Sequence, residues 1–226
     1  MSWFDNLFSN GKKSKEKNNL NLKEKTPEQI KQINEELREK LLKEYGLNKS
    51  TPKKLMYGYT GIENIGNTCF MGSALQCLSN IGKLLLEILS KKILDLTWTK
   101  DLNTINPLGC RGKMIIEYYL LLEKIWTKKQ NYISPKGIKK TLQTSFDRFV
   151  GYEQQDAQEF LGYFLDLLHE DLNKVLNKPY VSCDDYKDQQ DLEEFSNKNW
   201  NQMKLRDNSI ISISNSINFI KNIYIL

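Results

Sequence analysis

Cys69 is the residue in this chain with the most to offer chemically, because of what stands before and after it. It follows a Gly- and Asn-rich run, GIENIGNT, and opens a stretch in which Phe70, Ala74, Leu75, Leu78 and Ile81 recur at helical spacing. A thiol attacks as the thiolate, and a helix start favours the anion through its unpaired backbone N–H groups and its dipole. Gly66 permits a tight turn ahead of the cysteine, so that the sulfur emerges at the helix start instead of inside the core. Asn64 carries a side-chain amide suited to donating to a developing oxyanion. Together these residues imply acyl transfer through a cysteine nucleophile. The commoner fate of a free cysteine, packing as a small hydrophobe, stands against that reading.

A thiolate peptidase also needs a histidine to accept and return the proton. His169 is the one histidine, and it lies inside a helical run, LLHEDLN, where its expected role is a bond to a neighbouring loop. The other cysteines, Cys77, Cys110 and Cys183, show neither two-residue spacing nor paired histidines, so no zinc site, metal or other cofactor is expected and the thiols read as free.

The elements that position Cys69 are mostly helical. Thr26, Pro27 and Gln29 have the form of a capped helix start, followed by Ile30, Ile33, Leu37 and Leu41 on one stripe and a stop at Gly46. Residues 113–126 are apolar almost all round, which predicts a core helix. Ser134 and Pro135 suggest another capped start, and a long helix is predicted over about 153–175, burying Phe160, Leu161, Phe164, Leu165, Leu168 and Leu172. Residues 177–198 read as an exposed acidic connection, with Trp200 anchoring a short helix after it.

Charge excludes one class of partner. Residues 1–60 hold 13 Lys and Arg against 8 Asp and Glu, whereas the remainder holds 20 of each, so the net charge of +5 sits entirely in the N-terminal extension. A neutral remainder without basic stripes argues against nucleic-acid binding. No apolar run approaches the length of a membrane span and no secretory leader is recognisable, so a cytoplasmic or nuclear location is expected.

The segment TGIENIGNTCFMGSALQCLSN, residues 60–80, closely resembles the cysteine box of the ubiquitin-specific proteases, papain-like peptidases that cleave after the C-terminal glycine of ubiquitin. Two further blocks follow in the family's order: NPLGCRGKMIIEYYLLLEKIW at 106–126, and the glutamine-rich FVGYEQQDAQEFLGYFLDLLHEDLN at 149–173. The resemblance implies an α+β papain-like fold, of which the part present is the mainly helical, thumb-like subdomain without fingers or palm. It further implies Cys69 as nucleophile and Asn64 as oxyanion-hole donor. Gln154, Asp156 and Glu159 stand where the family grips the basic tail of ubiquitin, although acids at a helix start are favoured in any case. Gly72 departs from the family, which usually has Asn there, and is expected to loosen the helix start.

The domain layout expected is a disordered tail at 1–25, an amphipathic helix and linker at 26–58, the protease part at 59–207, and an atypical Ile/Asn-rich ending at 208–226 that suggests truncation. The resemblance carries the His169 run as part of a helix, distinct from the family's later catalytic histidine. The expected function is therefore that of a cysteine-type deubiquitinase acting on ubiquitin conjugates through a thioester, with this chain alone inactive and prone to partial folding. The alternative is a non-catalytic module that binds ubiquitin or another partner.

Overall fold

The computed structural model describes residues 25–47, 58–81, 97–127, 130–181 and 192–209. The expectations for the tail at 1–24, for Cys183 and for residues 210–226 lie outside the described residues. In chain order the elements are α1 (Pro27–Glu44), β1 (Gly61–Ile62), α2 (Cys69–Leu78), α3 (Lys113–Thr127), β2 (Tyr132–Ile133), α4 (Lys136–Ser145), α5 (Ala157–Asp171) and α6 (Leu192–Arg206). Short 3-10 turns add Thr97–Asp101 and Asp147–Phe149.

The core is helix on helix. The apolar sequence of α3 becomes a buried rod, with Met114, Ile115, Ile116, Tyr118, Leu121, Leu122 and Ile125 all enclosed. It packs against α4 and α5, and α5 packs in turn against α2. Aromatic rings fill the space between them: Phe160 stacks on Phe164, and Tyr118 meets Phe164 edge-on at 5.2 Å. The sheet consists of two parallel two-residue strands, Gly61 opposite Tyr132 and Ile62 opposite Ile133. It ties the chain ahead of Cys69 to the segment between α3 and α4.

α1 starts and stops as its sequence implies. Thr26 Oγ1 accepts from the Gln29 N–H while Gln29 Oε1 accepts from the Thr26 N–H, and Gly46 takes φ +68°. A buried asparagine interrupts its apolar stripe. Asn34 donates to the Leu102 carbonyl at 3.0 Å and accepts from the Thr104 N–H and hydroxyl, each at 2.8 Å, locking α1 onto the segment before α3.

Three helix expectations need correction. α5 starts at Ala157 instead of residue 153, because the Asp156 side chain caps it, and it ends at Asp171. Its buried face is turned from the expected one: Tyr163 and Leu167 are enclosed, while Leu161 and Leu165 are only partly so. Ser134 does not cap α4, since Pro135 occupies the N-cap position and Ser134 Oγ is buried without a hydrogen-bond partner among the described residues. α6 is a 15-residue helix starting at Leu192, and Trp200 stands on its surface beneath the Lys204 ammonium instead of anchoring it.

The last residue of α5 caps the start of α3. Asp171 is fully buried, and its carboxylate accepts from the backbone N–H groups of Cys110 (2.7 Å), Met114 (2.9 Å) and Ile115 (3.3 Å). Gly109 passes so close that an added Cβ would sit 2.7 Å from Asp171 Oδ1.

At Gly72 the helix is intact, with its N–H bonded to the Thr68 carbonyl at 2.9 Å, and an added Cβ would meet nothing within 4 Å. Gly72→Ala is therefore expected to stabilise the chain by about 0.5–1 kcal/mol, seen as a higher midpoint in urea unfolding. A lower midpoint would mean that the glycine serves something other than helix geometry.

Candidate active site at the start of the Cys69 helix

Asn64 organises the loop that delivers Cys69. Its side-chain oxygen accepts from the Gly66 N–H, the Thr68 N–H and the Thr68 hydroxyl, each at 3.1 Å. Because a backbone amide can only donate, these bonds fix which way the Asn64 amide is turned: the oxygen faces the loop and the NH2 faces outward. Thr68 Oγ1 also accepts from the Ile65 N–H at 3.0 Å, which closes the turn on itself.

Two residues in the turn need left-handed backbone, Gly66 at φ +105° and Asn67 at φ +49°. Glycine is required at 66 twice over, since a Cβ there would lie 2.7 Å from the Tyr152 ring. Asn67 Nδ2 donates to the Tyr152 carbonyl at 2.9 Å. The loop before Cys69 is thereby pinned to the loop before α5. Neither Asn67 nor Tyr152 stood out in the sequence, although a Gly-Asn pair is a turn signal.

Thr68 occupies the N-cap position of α2, but its hydroxyl is committed to Asn64 and makes no cap bond. Cys69 is the first helical residue and is exposed. The N–H groups of the first turn, left without a side-chain cap, favour negative charge beside the sulfur. Cys77, also exposed, lies near the other end of the helix, and Cys110 Sγ is 2.9 Å from Ser145 Oγ. Among the described cysteines, Cys69 alone stands at a helix start.

The acidic residues are brought beside this turn. Phe70 stacks on Phe149 and meets Phe160 edge-on at 5.8 Å, so the starts of α2 and α5 are neighbours. Asp156 Oδ1 accepts from the Glu159 N–H at 2.8 Å, which is the bland helix-start role, and the residue is exposed. Gln154 is exposed on the same loop. Glu159 is paired with Arg148, a residue that sequence reasoning passed over.

His169 is not part of this arrangement. It lies nine residues beyond Phe160 on α5, or about 13 Å along the helix axis at ~1.5 Å per residue. It is buried, with Nδ1 2.6 Å from Ser209 Oγ and Nε2 3.5 Å from Asp207 Oδ1. His169, Glu170 and Asp207 could offer three ligand atoms within 4.8 Å of one another, but an ammonium already serves the two carboxylates. Lys178 Nζ lies 2.6 Å from Glu170 Oε1 and 3.0 Å from Asp207 Oδ1.

Burial would raise the Asp207 carboxyl, but hydrogen bonds from His169 and Lys178, with their charge, hold it down at about 2. A carboxyl depressed on folding contributes stability above its ordinary range, and that contribution is lost as pH falls from about 4 to 2. The expected result is acid unfolding that is delayed in the native chain relative to Asp207→Asn, whose stability is lower at neutral pH and flatter over that window. Parallel curves would refute the linkage.

No described helix is long and apolar enough to cross a membrane. A family model for ubiquitin carboxyl-terminal hydrolases matches residues 60–223. Ubiquitin carboxyl-terminal hydrolase 9 of Arabidopsis thaliana is 40% identical over 154 residues, covering 68% of this chain and 16% of that protein. Human ubiquitin carboxyl-terminal hydrolase 19 is 37% identical over 159 residues, covering 70% and 12%. Rat ubiquitin carboxyl-terminal hydrolase 15 is 38% identical over 157 residues, covering 69% and 16%. The chain thus spans about a sixth or less of the length of these curated relatives.

Proposed function

Because the chain belongs to the ubiquitin carboxyl-terminal hydrolase family, whose fold is that of the papain-like cysteine peptidases, we propose that it carries the nucleophile half of a deubiquitinase site. The single observation behind this is Cys69, exposed at the start of α2, behind a loop whose Asn64 amide is held with its donors outward. In the proposed reaction Cys69 Sγ attacks the carbonyl carbon of the C-terminal glycine of ubiquitin. Charge then gathers on the carbonyl oxygen, which accepts from Asn64 Nδ2. Collapse expels the amine of the conjugated protein and leaves a thioester, which water hydrolyses to free ubiquitin and the thiol. Gln154 and Asp156 receive the extended basic tail, for which a carboxylate is the natural partner.

Departure of the amine requires a proton, and attack by water requires a base. The single histidine is committed to Ser209 and Asp207, so no imidazole among the described residues is placed for these transfers. The chain alone is accordingly assigned capture of ubiquitin at Cys69 without turnover. The test is ubiquitin bearing a thiol-reactive group at its C-terminus, with the adduct located by peptide mass spectrometry. An adduct on Cys69 supports the reading, and an adduct on Cys77 alone would sink it. The commitment of His169 also favours a second reading, a non-catalytic ubiquitin-binding module, which predicts reversible binding with no adduct.

A further inference from the structure

Glu159 already holds a cation. Arg148 Nη1 pairs with Glu159 Oε1, and the guanidinium lies over the rings of Phe149 and Tyr163, 5.8 and 5.9 Å from their centroids. The Arg148 carbonyl accepts from Gln155 Nε2 at 3.1 Å, so the backbone is held as well as the side chain. Asp156 differs: one oxygen accepts from a backbone N–H, and no cation among the described residues is paired with it. A positively charged peptide approaching this loop would meet Asp156 unshielded and Glu159 neutralised.

We propose that Arg148 is a specificity-determining residue, which occupies Glu159 and so sets how strongly the acidic loop draws an arginine-bearing extended peptide. This rests on the reading above, in which the loop receives the basic tail of ubiquitin. The side chains of Arg148 and Glu159 keep 43% and 24% of their exposure, so a peptide cation can reach the pair. A pair this exposed still cancels most of each partner's charge as seen by an approaching peptide. In the resting chain, therefore, Glu159 positions Arg148 and leaves the tail to Asp156.

The charges predict a symmetrical pattern in a double-mutant cycle on the full chain, measured as affinity for free ubiquitin. Arg148→Gln bares the Glu159 carboxylate and tightens binding by about fivefold, a gain that fades with added salt. Glu159→Gln bares the Arg148 cation and weakens it by a similar factor. With both replaced, the site is again neutral at this point, and affinity returns to within about twofold of native. If Glu159 gripped the tail directly, the double variant would be as weak as Glu159→Gln, and the proposal would fall.

Arg148→Met, which keeps apolar contact with Phe149 and Tyr163, repeats the first arm should the glutamine variant unfold. Ubiquitin with its tail arginines replaced by glutamine separates the two levels of inference. Sensitivity to those arginines without a gain from Arg148→Gln overturns only the role of Arg148. Absence of binding by every variant overturns the functional reading as well.

Discussion

Cys69→Ala abolishes covalent capture of the ubiquitin probe, lowering its rate by more than about a thousandfold, and leaves the unfolding transition close to that of the native chain. The first half follows from chemistry: no other described cysteine stands at the start of a helix, and a hydrogen in place of the sulfur leaves no nucleophile. The second half follows from position. Cys69 is exposed, whereas the side chains that hold α2 in place are Met71, Ala74, Leu75 and Leu78, so truncation at 69 opens no cavity. A small neutral alkylating agent provides the control. It should modify both exposed cysteines among the described residues, Cys69 and Cys77, but the ubiquitin probe should distinguish them, because only the first adjoins the two pinned loops that carry Asn64 and Asp156. Persistent capture by Cys69→Ala would end the assignment.

The largest loss of stability is expected far from that site, at Asp171→Ala. The carboxylate serves three backbone N–H groups at the start of α3, and its removal takes this partner from the buried Met114 and Ile115 N–H groups and from the partly buried one of Cys110. At about 1–3 kcal/mol for each unmet buried donor, partly recovered by relaxation, the cost is roughly 3–5 kcal/mol. Asp171→Asn should also destabilise, since one oxygen becomes an NH2 group facing donors. Burial pushes the Asp171 carboxyl up to about 6 despite the N–H groups that pull it down. The folded chain thus holds that proton more firmly than the unfolded one. The stability tied to it is fullest below the ordinary carboxylate range and declines as pH rises through about 6. Urea unfolding should show the gap between native chain and Asp171→Ala widening as pH is lowered from about 7 to 4. A gap below about 1 kcal/mol at every pH would show that the cap is dispensable.

The parts of this fold that were legible in the sequence are those whose causes are local. The capping box of α1 involves residues three apart, the burial of α3 follows from an apolar run, and the turn before Cys69 announces itself through Gly66. The parts that were missed have causes far away in the chain. Glu153, Gln154 and Gln155 favour helix and suggest an earlier start for α5, yet the chain there is not helical and is tied through the Tyr152 carbonyl to Asn67, 85 residues earlier. Asp171 looks like any helical acid until its partners near residue 112 are known. Two-residue strands are too short to show an alternation. At the candidate site, spacing and resemblance point to Cys69 and Asn64, whereas the pairing of Glu159 with Arg148 depends on a 3-10 turn that no pattern marks.

The lock between Asn34 and the segment at 102–104 bears on where this protein begins as a folding unit. The family model matches from residue 60, but Leu41 belongs to the same apolar core as α3, and Tyr45 bonds Glu117 beside it. A chain cut at the border drawn by ancestry would leave the Thr104 hydroxyl and the wall around Leu102 and Gly112 open to water. The stretch matched by the family model and the packed core are not coextensive here: α1 contributes to the second and lies outside the first.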